Sequence, residues 1–269
     1  MKVFLSADME GTCGITAWVE TDRPTPMDYN PLQKQMSREV AAACAGALAG
    51  GAEDVLVKDA HDSARNIDPT VLPRNTRIHR GWSGDLLTMM CGLDQEKFDA
   101  VIFTGYHAWA GCGGNPLSHT MNRRNTRVTL NGELCSEFLL NSYTAGYFGV
   151  PVVMVTGDSD LCASAKELIP NITVVPVSQG RGNGSTSLHP DEAVERIEAA
   201  AAQAVKNAEK CHVPMPEHFH MEIDFVSHAV AYSKHFYPGA VLKEDRTVCF
   251  DHDDWYEMLR FCHFVLSNA

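Results

Sequence analysis

The amino-acid sequence predicts an α/β fold, a mostly parallel sheet with helices on both faces, followed by a smaller C-terminal α+β portion. Short β-branched and aromatic runs alternate with helical stretches at crossover-length spacings, the rhythm of parallel strands joined by helices. With 45% apolar, 21% charged and 8% aromatic residues, the chain has the hydrophobic mass to offset backbone ordering and close a core. Past Gly180 the alternation gives way to mixed structure, which sets the last part of the chain apart. A length of 269 residues fits one large domain or two. The division expected from the pattern is 1–180 and 181–269.

Taken in order, Lys2-Val3-Phe4-Leu5-Ser6-Ala7 stops at a cluster of polar residues and glycine, as a buried strand entering a loop does. The alanine-rich stretch 31–51 reads as a helix ended by Gly50-Gly51. Strands are expected at 54–58 and 100–104, with a helix near 85–91 between them. A helix at 137–147, a strand at 151–155, a helix at 158–169 and a strand at 172–177 bring the count to at least five strands. Residues 180–185 read as a flexible loop, a hinge or active-site rim. They lack the G-x-G-x-x-G spacing and the lysine of a phosphate loop. A helix at 190–208, a strand at 221–226 and a helix at 253–267 complete the chain, without internal repeats.

Charge and cysteine usage exclude whole classes of function. Twenty-two basic against 34 acidic residues leave a net charge of −12, which repels a phosphate backbone. The one basic run, Asn122-Arg123-Arg124, is short and isolated, so neither nucleic acid nor an anionic membrane is expected as partner. No apolar stretch approaches the ~18 residues of a membrane span. Nine cysteines without a C-x-x-C pair, behind an N-terminus too short in apolar residues for a signal region, indicate a reducing cytoplasm.

Ligands of open parallel sheets collect at the carboxyl ends of the strands. The first strand ends in Asp8-Met9-Glu10, the second in Asp59-Ala60-His61 and the third in Gly105-Tyr106-His107. Carboxylates and imidazoles on one rim suit a borderline divalent ion such as zinc, and a carboxylate can bridge two ions. Each residue alone has a plainer reading, a turn cap for Asp8 and Glu10 or a structural hydrogen bond for His61 and His107; all of them at three strand ends is the informative coincidence. Asp59 is a candidate to accept the His61 ring N–H and fix its tautomer, or a surface carboxylate.

Six pieces of the sequence, Ser6-Ala7-Asp8-Met9-Glu10-Gly11, Lys58-Asp59-Ala60-His61-Asp62-Ser63, Gly105-Tyr106-His107-Ala108, Ser118-His119-Thr120-Met121, the stretch Glu137 to Tyr143 and Ala145-Gly146-Tyr147, resemble in order the M55 peptidase family, D-aminopeptidases of the dipeptide-transport type. The likeness runs to about Pro170 and weakens past Gly180. It implies a pair of zinc ions held by Asp8, Glu10, His61, His107 and a glutamate, with Asp8 bridging, Glu10 and His61 completing one site, and His107 with the glutamate the other. Glu133 and Glu137 are both candidates for that glutamate. The anchor Leu140-Asn141-Ser142-Tyr143-Thr144-Ala145-Gly146-Tyr147 assigns it to Glu137 and leaves Glu133 in an expected turn. His119 matches the family's catalytic histidine, as acid, base or oxyanion stabiliser. Cys135-Ser136 and the glycine-rich loop Gly111 to Gly114 depart from the better-known member and leave the substrate pocket open.

The resemblance thus implies a cytoplasmic zinc aminopeptidase, a metallopeptidase hydrolase removing the N-terminal residue from short peptides with a D-amino-acid preference. It also implies a homo-oligomer, a decamer of stacked five-membered rings. The alternatives are a metal-dependent hydrolase of other amides, L-peptides or phosphate esters, and a non-catalytic peptide- or metal-binding module. Lesser features point elsewhere: His218 and His220 read as solvated residues, and Asp158 and Asp160 as helix caps or crevice residues. Cys13, Cys112 and Cys135 lack a partner for thiol chemistry, and Ser118-His119 lacks the G-x-S-x-G of serine hydrolases.

Overall fold

In the computed structural model, which describes residues 1–267, the first strand β1 (Lys2–Ala7) is buried at every position but its first. It is followed by α1 (Pro26–Ala49), β2 (Asp54–Asp59), β3 (Thr76–His79) and β4 (Ala100–Tyr106), then by β5 (Asn125–Leu130), β6 (Glu133–Leu134), α2 (Glu137–Tyr147), β7 (Val152–Asp158) and α3 (Ser159–Leu168). The chain continues through β8 (Thr173–Arg181), β9 (Gly184–Ser187), α4 (Pro190–Ala204), β10 (Phe219–Phe225), α5 (His228–Lys234), β11 (Val241–Glu244), β12 (Thr247–His252) and α6 (Trp255–Phe261). Two sheets result, one of seven strands in the order β3-β2-β1-β4-β7-β8-β9 and one of five, β11-β12-β10-β5-β6.

The seven-stranded sheet is parallel except at its β8–β9 edge. Every residue of β4 and β7 is buried, as strands covered on both faces must be. α1 packs on α4 and against β1, β2 and β4, while α2 packs on α3 and against β4 and β7. Winding reverses between β1 and β4, where loops diverge and leave a crevice. Register then decides what meets there. Ala7 lies beside Asp59 on one flank and Thr104 on the other, so three neighbouring strands release their chains at one level.

The second sheet is antiparallel, and it draws β5 and β6 from between β4 and α2. Asn131 and Gly132, both at positive φ (53° and 85°), make the tight turn that joins them. Past Gly180 the larger sheet runs on through β9, and α4 returns to α1.

Four local expectations are corrected. The stretch 85–91 is no helix but a 3₁₀ turn at Thr88–Met90: Asp85 accepts the Leu87 N–H in a local turn (2.9 Å) and Thr88 sits at φ 49°. Residues 180–185 form a β-hairpin, with Gly182 at φ 61°, rather than a loop. Ser185 and Ser187 on that hairpin hydrogen-bond Thr16 Oγ1 (2.8 Å) and the Gly14 N–H (3.1 Å), bracing the loop after β1. α1 starts at Pro26, its first-turn proline needing no N–H, and passes through Pro31, which had marked its expected start. The last helix ends as α at Phe261 and continues as a π-helical turn, Cys262–Ser267.

Glu39 on α1 is a buried carboxyl that accepts from Cys13 N and Gln35 Nε2 (both 3.0 Å), and burial pushes it from its ordinary 4.5 up to about 7. Between those values the folded chain keeps a proton that the unfolded chain has lost, so stability falls as pH rises through the window. Glu39→Gln should flatten this dependence and exceed wild type by up to ~3 kcal/mol above pH ~7, as read from urea unfolding at pH 5 and 8; parallel pH profiles for the two proteins would refute it.

Candidate metal centre

The six residues singled out at the strand ends and after them, Asp8, Glu10, His61, His107, His119 and Glu137, converge in the structure. Five are buried and His119 is largely so. Ligand atoms fall into groups mutually within 4.8 Å: Asp8 with Glu10 and His61, Asp8 with His107 and Glu137, and Glu10 with His107 and His119. Asp8 belongs to two, one oxygen to each side. Its Oδ1 is 3.4 Å from His61 Nδ1 and its Oδ2 3.5 Å from His107 Nε2. Glu10 Oε2 approaches His61 Nδ1 at 3.0 Å, and Glu137 Oε2 approaches His107 Nε2 at 3.6 Å. Glu133, the other candidate glutamate, sits exposed in β6 and outside the cluster.

Local structure aims each group. Gly105 holds φ 67°, and a Cβ there would lie 2.2 Å from the Asp8 carbonyl oxygen, so the ends of β1 and β4 can come this close only with glycine between them. The Gly11 N–H donates to Gly105 O (2.8 Å), and Asn115 Nδ2 donates to Glu10 O (3.1 Å), fixing the acidic turn. Glu137 opens α2, behind an N-cap Ser136 whose Oγ accepts from Leu139 N, and the helix N-terminus favours its negative charge.

All three imidazoles are pinned by the nitrogen that faces away from the carboxylates. His61 Nε2 lies 3.1 Å from Thr21 O, His107 Nδ1 2.8 Å from Ala108 O, and His119 Nδ1 2.9 Å from Leu117 O. A carbonyl can only accept, so these nitrogens carry the protons. The opposite nitrogens of the three rings face the cluster, and in the neutral form of each ring they carry the lone pair, the tautomer a metal ion requires. Asp59 takes a different part from the one expected of it. Its carboxylate accepts from Asn66 N, Asn66 Nδ2 and Ile67 N (2.5–2.9 Å), and Asn66 Nδ2 also donates to His61 O (2.7 Å), so Asp59 builds the loop that carries His61 and leaves the ring to Thr21. Asp158 caps α3 through Leu161 N and accepts from Ala108 N (2.8 Å), steadying the carbonyl that orients His107.

Burial and like charge drive the electrostatics. Asp8 is raised well above the carboxylate range by burial and by Glu10, whereas Glu10, against its own burial, is held well below it by His61, His119 and His107. His107, which burial alone would lower, is pushed up to about 9 by Glu137, Glu10 and Asp8. Asp8 Oδ2, Glu10 Oε2 and His107 Nε2 are buried without a hydrogen-bond partner among the described residues. Buried polar atoms without partners, spread over the groups that Asp8 shares, are what bound cations satisfy, and the N/O donor set fits zinc.

A model of the family Peptidase_M55, D-aminopeptidase, matches residues 1–264. The chain belongs to the M55 family. The D-aminopeptidase of Bacillus subtilis (strain 168) is 31% identical over 253 residues, 92% of this chain and 89% of that one. Among solved structures, the Zn-dependent D-aminopeptidase DppA from Bacillus subtilis, a self-compartmentalizing protease, matches with a TM-score of 0.89 at 30% identity, covering 99% of this chain and 98% of that chain.

This M55 member opens its cluster into a cleft of about 790 Å³, lined also by Trp18, Trp82 and Met121. His107 and His119 stack at 4.4 Å, and the Trp18 ring packs edge-on against His119 at 5.3 Å. Trp18, Asn66 and the orienting carbonyls were not legible beforehand, because a backbone oxygen has no sequence signature and neither side chain stands in a motif. His218 and His220 lie outside the cluster and pair with Asp253, Asp251 and Glu222. Burial pushes the Cys13 and Cys112 thiols up to about 12 and 11, far from nucleophilic thiolates. If the Asp59–Asn66 loop aims His61, Asn66→Ala should weaken zinc binding roughly ten- to hundredfold while the protein stays folded. Competition titration with a zinc chelator measures this, and unchanged affinity in the folded variant would remove the role.

Proposed function

We propose that this protein is a zinc aminopeptidase that removes the N-terminal residue from short, D-amino-acid-containing peptides, with a pair of zinc ions per chain. The observation that carries the reading is the set of imidazoles, each oriented by a backbone carbonyl so that its other nitrogen faces the buried carboxylates. Membership of the M55 family supports the reaction assigned to it. Asp8 would bridge the ions, with Glu10 and His61 on one and His107 and Glu137 on the other. A zinc pair so placed supplies Lewis acidity, polarising a scissile carbonyl and acidifying water.

The protein's own part in the proton transfers falls to His119. Its Nδ1–H is committed to Leu117 O, so only Nε2 faces the cleft. There it takes a proton from the attacking water and returns it, at the same atom, to the departing nitrogen. Glu137 Oε1 and Glu10 Oε1, at 3.6 and 4.0 Å, stabilise the imidazolium formed in between. The stacked His107 and the edge of Trp18 hold the ring plane. A cleft of about 790 Å³ accommodates a short peptide and little more.

A cytoplasmic location is consistent with nine free cysteines, eight of them buried; no helix among the described residues is long and apolar enough to cross a membrane. Exposed Tyr232, Phe236, Val241 and Phe264 are the apolar surface that a homo-oligomer, a decamer by family resemblance, would cover.

Elemental analysis should find about two zinc ions per chain in the wild type, with both lost in Asp8→Ala. His119→Ala should keep the zinc and lose about 10²–10⁴ in kcat. Peptides acetylated at the amine should resist cleavage that their free-amine counterparts undergo. Undiminished peptide hydrolysis by a zinc-free Asp8→Ala protein would falsify the assignment.

A further inference from the structure

We infer that Arg123 and Arg124 form the carboxylate-binding end of the cleft, receiving the free C-terminus of a di- to tetrapeptide whose scissile bond lies at His119. This rests on the aminopeptidase reading and names the substrate feature it selects.

Both arginines line the same cleft as Asp8, Glu10 and His119. Histidines aside, every other charged side chain lining it is a carboxylate, so these are the cleft's two permanently cationic side chains. Neither guanidinium has an ion-pair partner among the described residues, although the chain carries an excess of acidic groups. An arginine pair left unpaired beside a cluster of acidic residues is open to a ligand's charge.

The pair is also held in place. Met121, at φ 64°, donates its N–H to Glu137 Oε1 (2.7 Å), and Asn125 Nδ2 donates to Thr120 O (2.9 Å). The Arg124 N–H donates to Asn122 Oδ1 (2.8 Å), and Asn122 Nδ2 to Leu266 O (2.6 Å). One braced segment therefore carries both His119 and the arginines. The Arg123 guanidinium lies 4.5 Å over the Trp18 ring, which in turn contacts His119. Stacking fixes the guanidinium plane and leaves its N–H edge free for two parallel hydrogen bonds to a carboxylate.

Distance sets peptide length. The two ring contacts, 4.5 and 5.3 Å, place the guanidinium within about 10 Å of the His119 ring, and an extended chain spans ~3.3–3.6 Å per residue. No more than about three residues fit between scissile carbonyl and terminal carboxylate. A longer peptide or an amidated one forgoes the contact.

The test uses the zinc-loaded enzyme and peptides beginning with D-alanine followed by one, two or four glycines, each as free acid and C-terminal amide. Wild type should favour the free acid by about tenfold in kcat/KM for the two shorter peptides and show no preference for the pentapeptide. Arg123→Gln with Arg124→Gln should bring the ratio toward one, the loss falling on KM of the free acids, with zinc content intact; Arg123→Lys should restore part of it. Calorimetry with the same acids and amides on His119→Ala enzyme reads the ratio as affinity, independent of turnover. An acid-to-amide ratio near one in the wild type, or one unmoved in the double variant, overturns the clamp while leaving the aminopeptidase reading standing. Failure to cleave any free-amine peptide, with acid-selective binding retained, overturns that reading and leaves the clamp.

Discussion

The cluster imposes one condition on everything around it: Asp8, Glu10 and Glu137 are buried together, and three carboxylates withdrawn from water cannot remain ionised side by side without positive charge among them. An unpaired buried carboxylate costs several kcal/mol even after relaxation. Asp8 and Glu10 respond by splitting, one pushed up and the other held down. The imidazoles respond by leaning toward their protonated forms at His61 and His107, while His119, more weakly surrounded and beside His107, is lowered by burial. Divalent cations meet the same condition more completely, since they replace those protons on the ring nitrogens that the carbonyl partners turn toward the carboxylates.

Such a cluster needs a rigid floor. Behind it, Tyr106 is wholly buried, and its hydroxyl accepts from Asn141 Nδ2 (3.0 Å) on α2. Ser6 Oγ gives its proton to Met89 O (2.8 Å), so the 2.7 Å contact between Ser6 and Tyr106 is donated by the tyrosine. One chain of hydrogen bonds thus ties β1, β4, α2 and the turn after β3 beneath Asp8, His107 and Glu137. Strain gathers around the same cleft, for Asp62, Thr88 and Met121 all line it at positive φ, and non-glycine residues hold that conformation only where their surroundings over-determine it.

What the sequence made legible follows from how far each signal is local. Strand ends such as Asp8-Met9-Glu10 and Asp59-Ala60-His61 could be read because short continuous apolar runs announce a buried strand and its stop together. Glu137 against Glu133 rested on the family anchor Leu140 to Tyr147 that follows, and the structure puts Glu133 on an exposed strand. The role of Asp59 was misjudged because proximity in sequence to His61 does not reveal that the loop turns back through Asn66. Helix 85–91 failed for a similar reason. Its apolar residues Leu87, Met89 and Met90 are indeed buried, but a side-chain turn at Asp85 and a left-handed Thr88 bury them without a helix. The glycine-rich 180–185 segment looked mobile by composition, whereas pairing across a two-residue turn makes it an edge hairpin.

The second sheet has no part in the proposed ligand set, yet the active-site geometry depends on it. His119 and the arginines stand on the segment that enters β5, a strand of the five-stranded sheet, whereas Asp8, His61 and His107 stand on the loops of the seven-stranded one. Their relative placement is therefore a contact between sheets. Thr120 Oγ1 donates to Cys135 O (2.8 Å), and the Val226 N–H donates to Arg124 O (2.8 Å), fastening the segment to β6 and β10. Trp255 Nε1 donates to Thr144 Oγ1 (3.2 Å), joining α6 to the helix that Glu137 begins. Because Glu137 both faces His107 and accepts the Met121 N–H, it belongs to both halves. His119 is thus registered to the residues that would hold the metal through this carboxylate, through its stack on His107 and through the Ala110 N–H bond to Thr120 Oγ1 (3.1 Å), and the C-terminal strands help keep that registration.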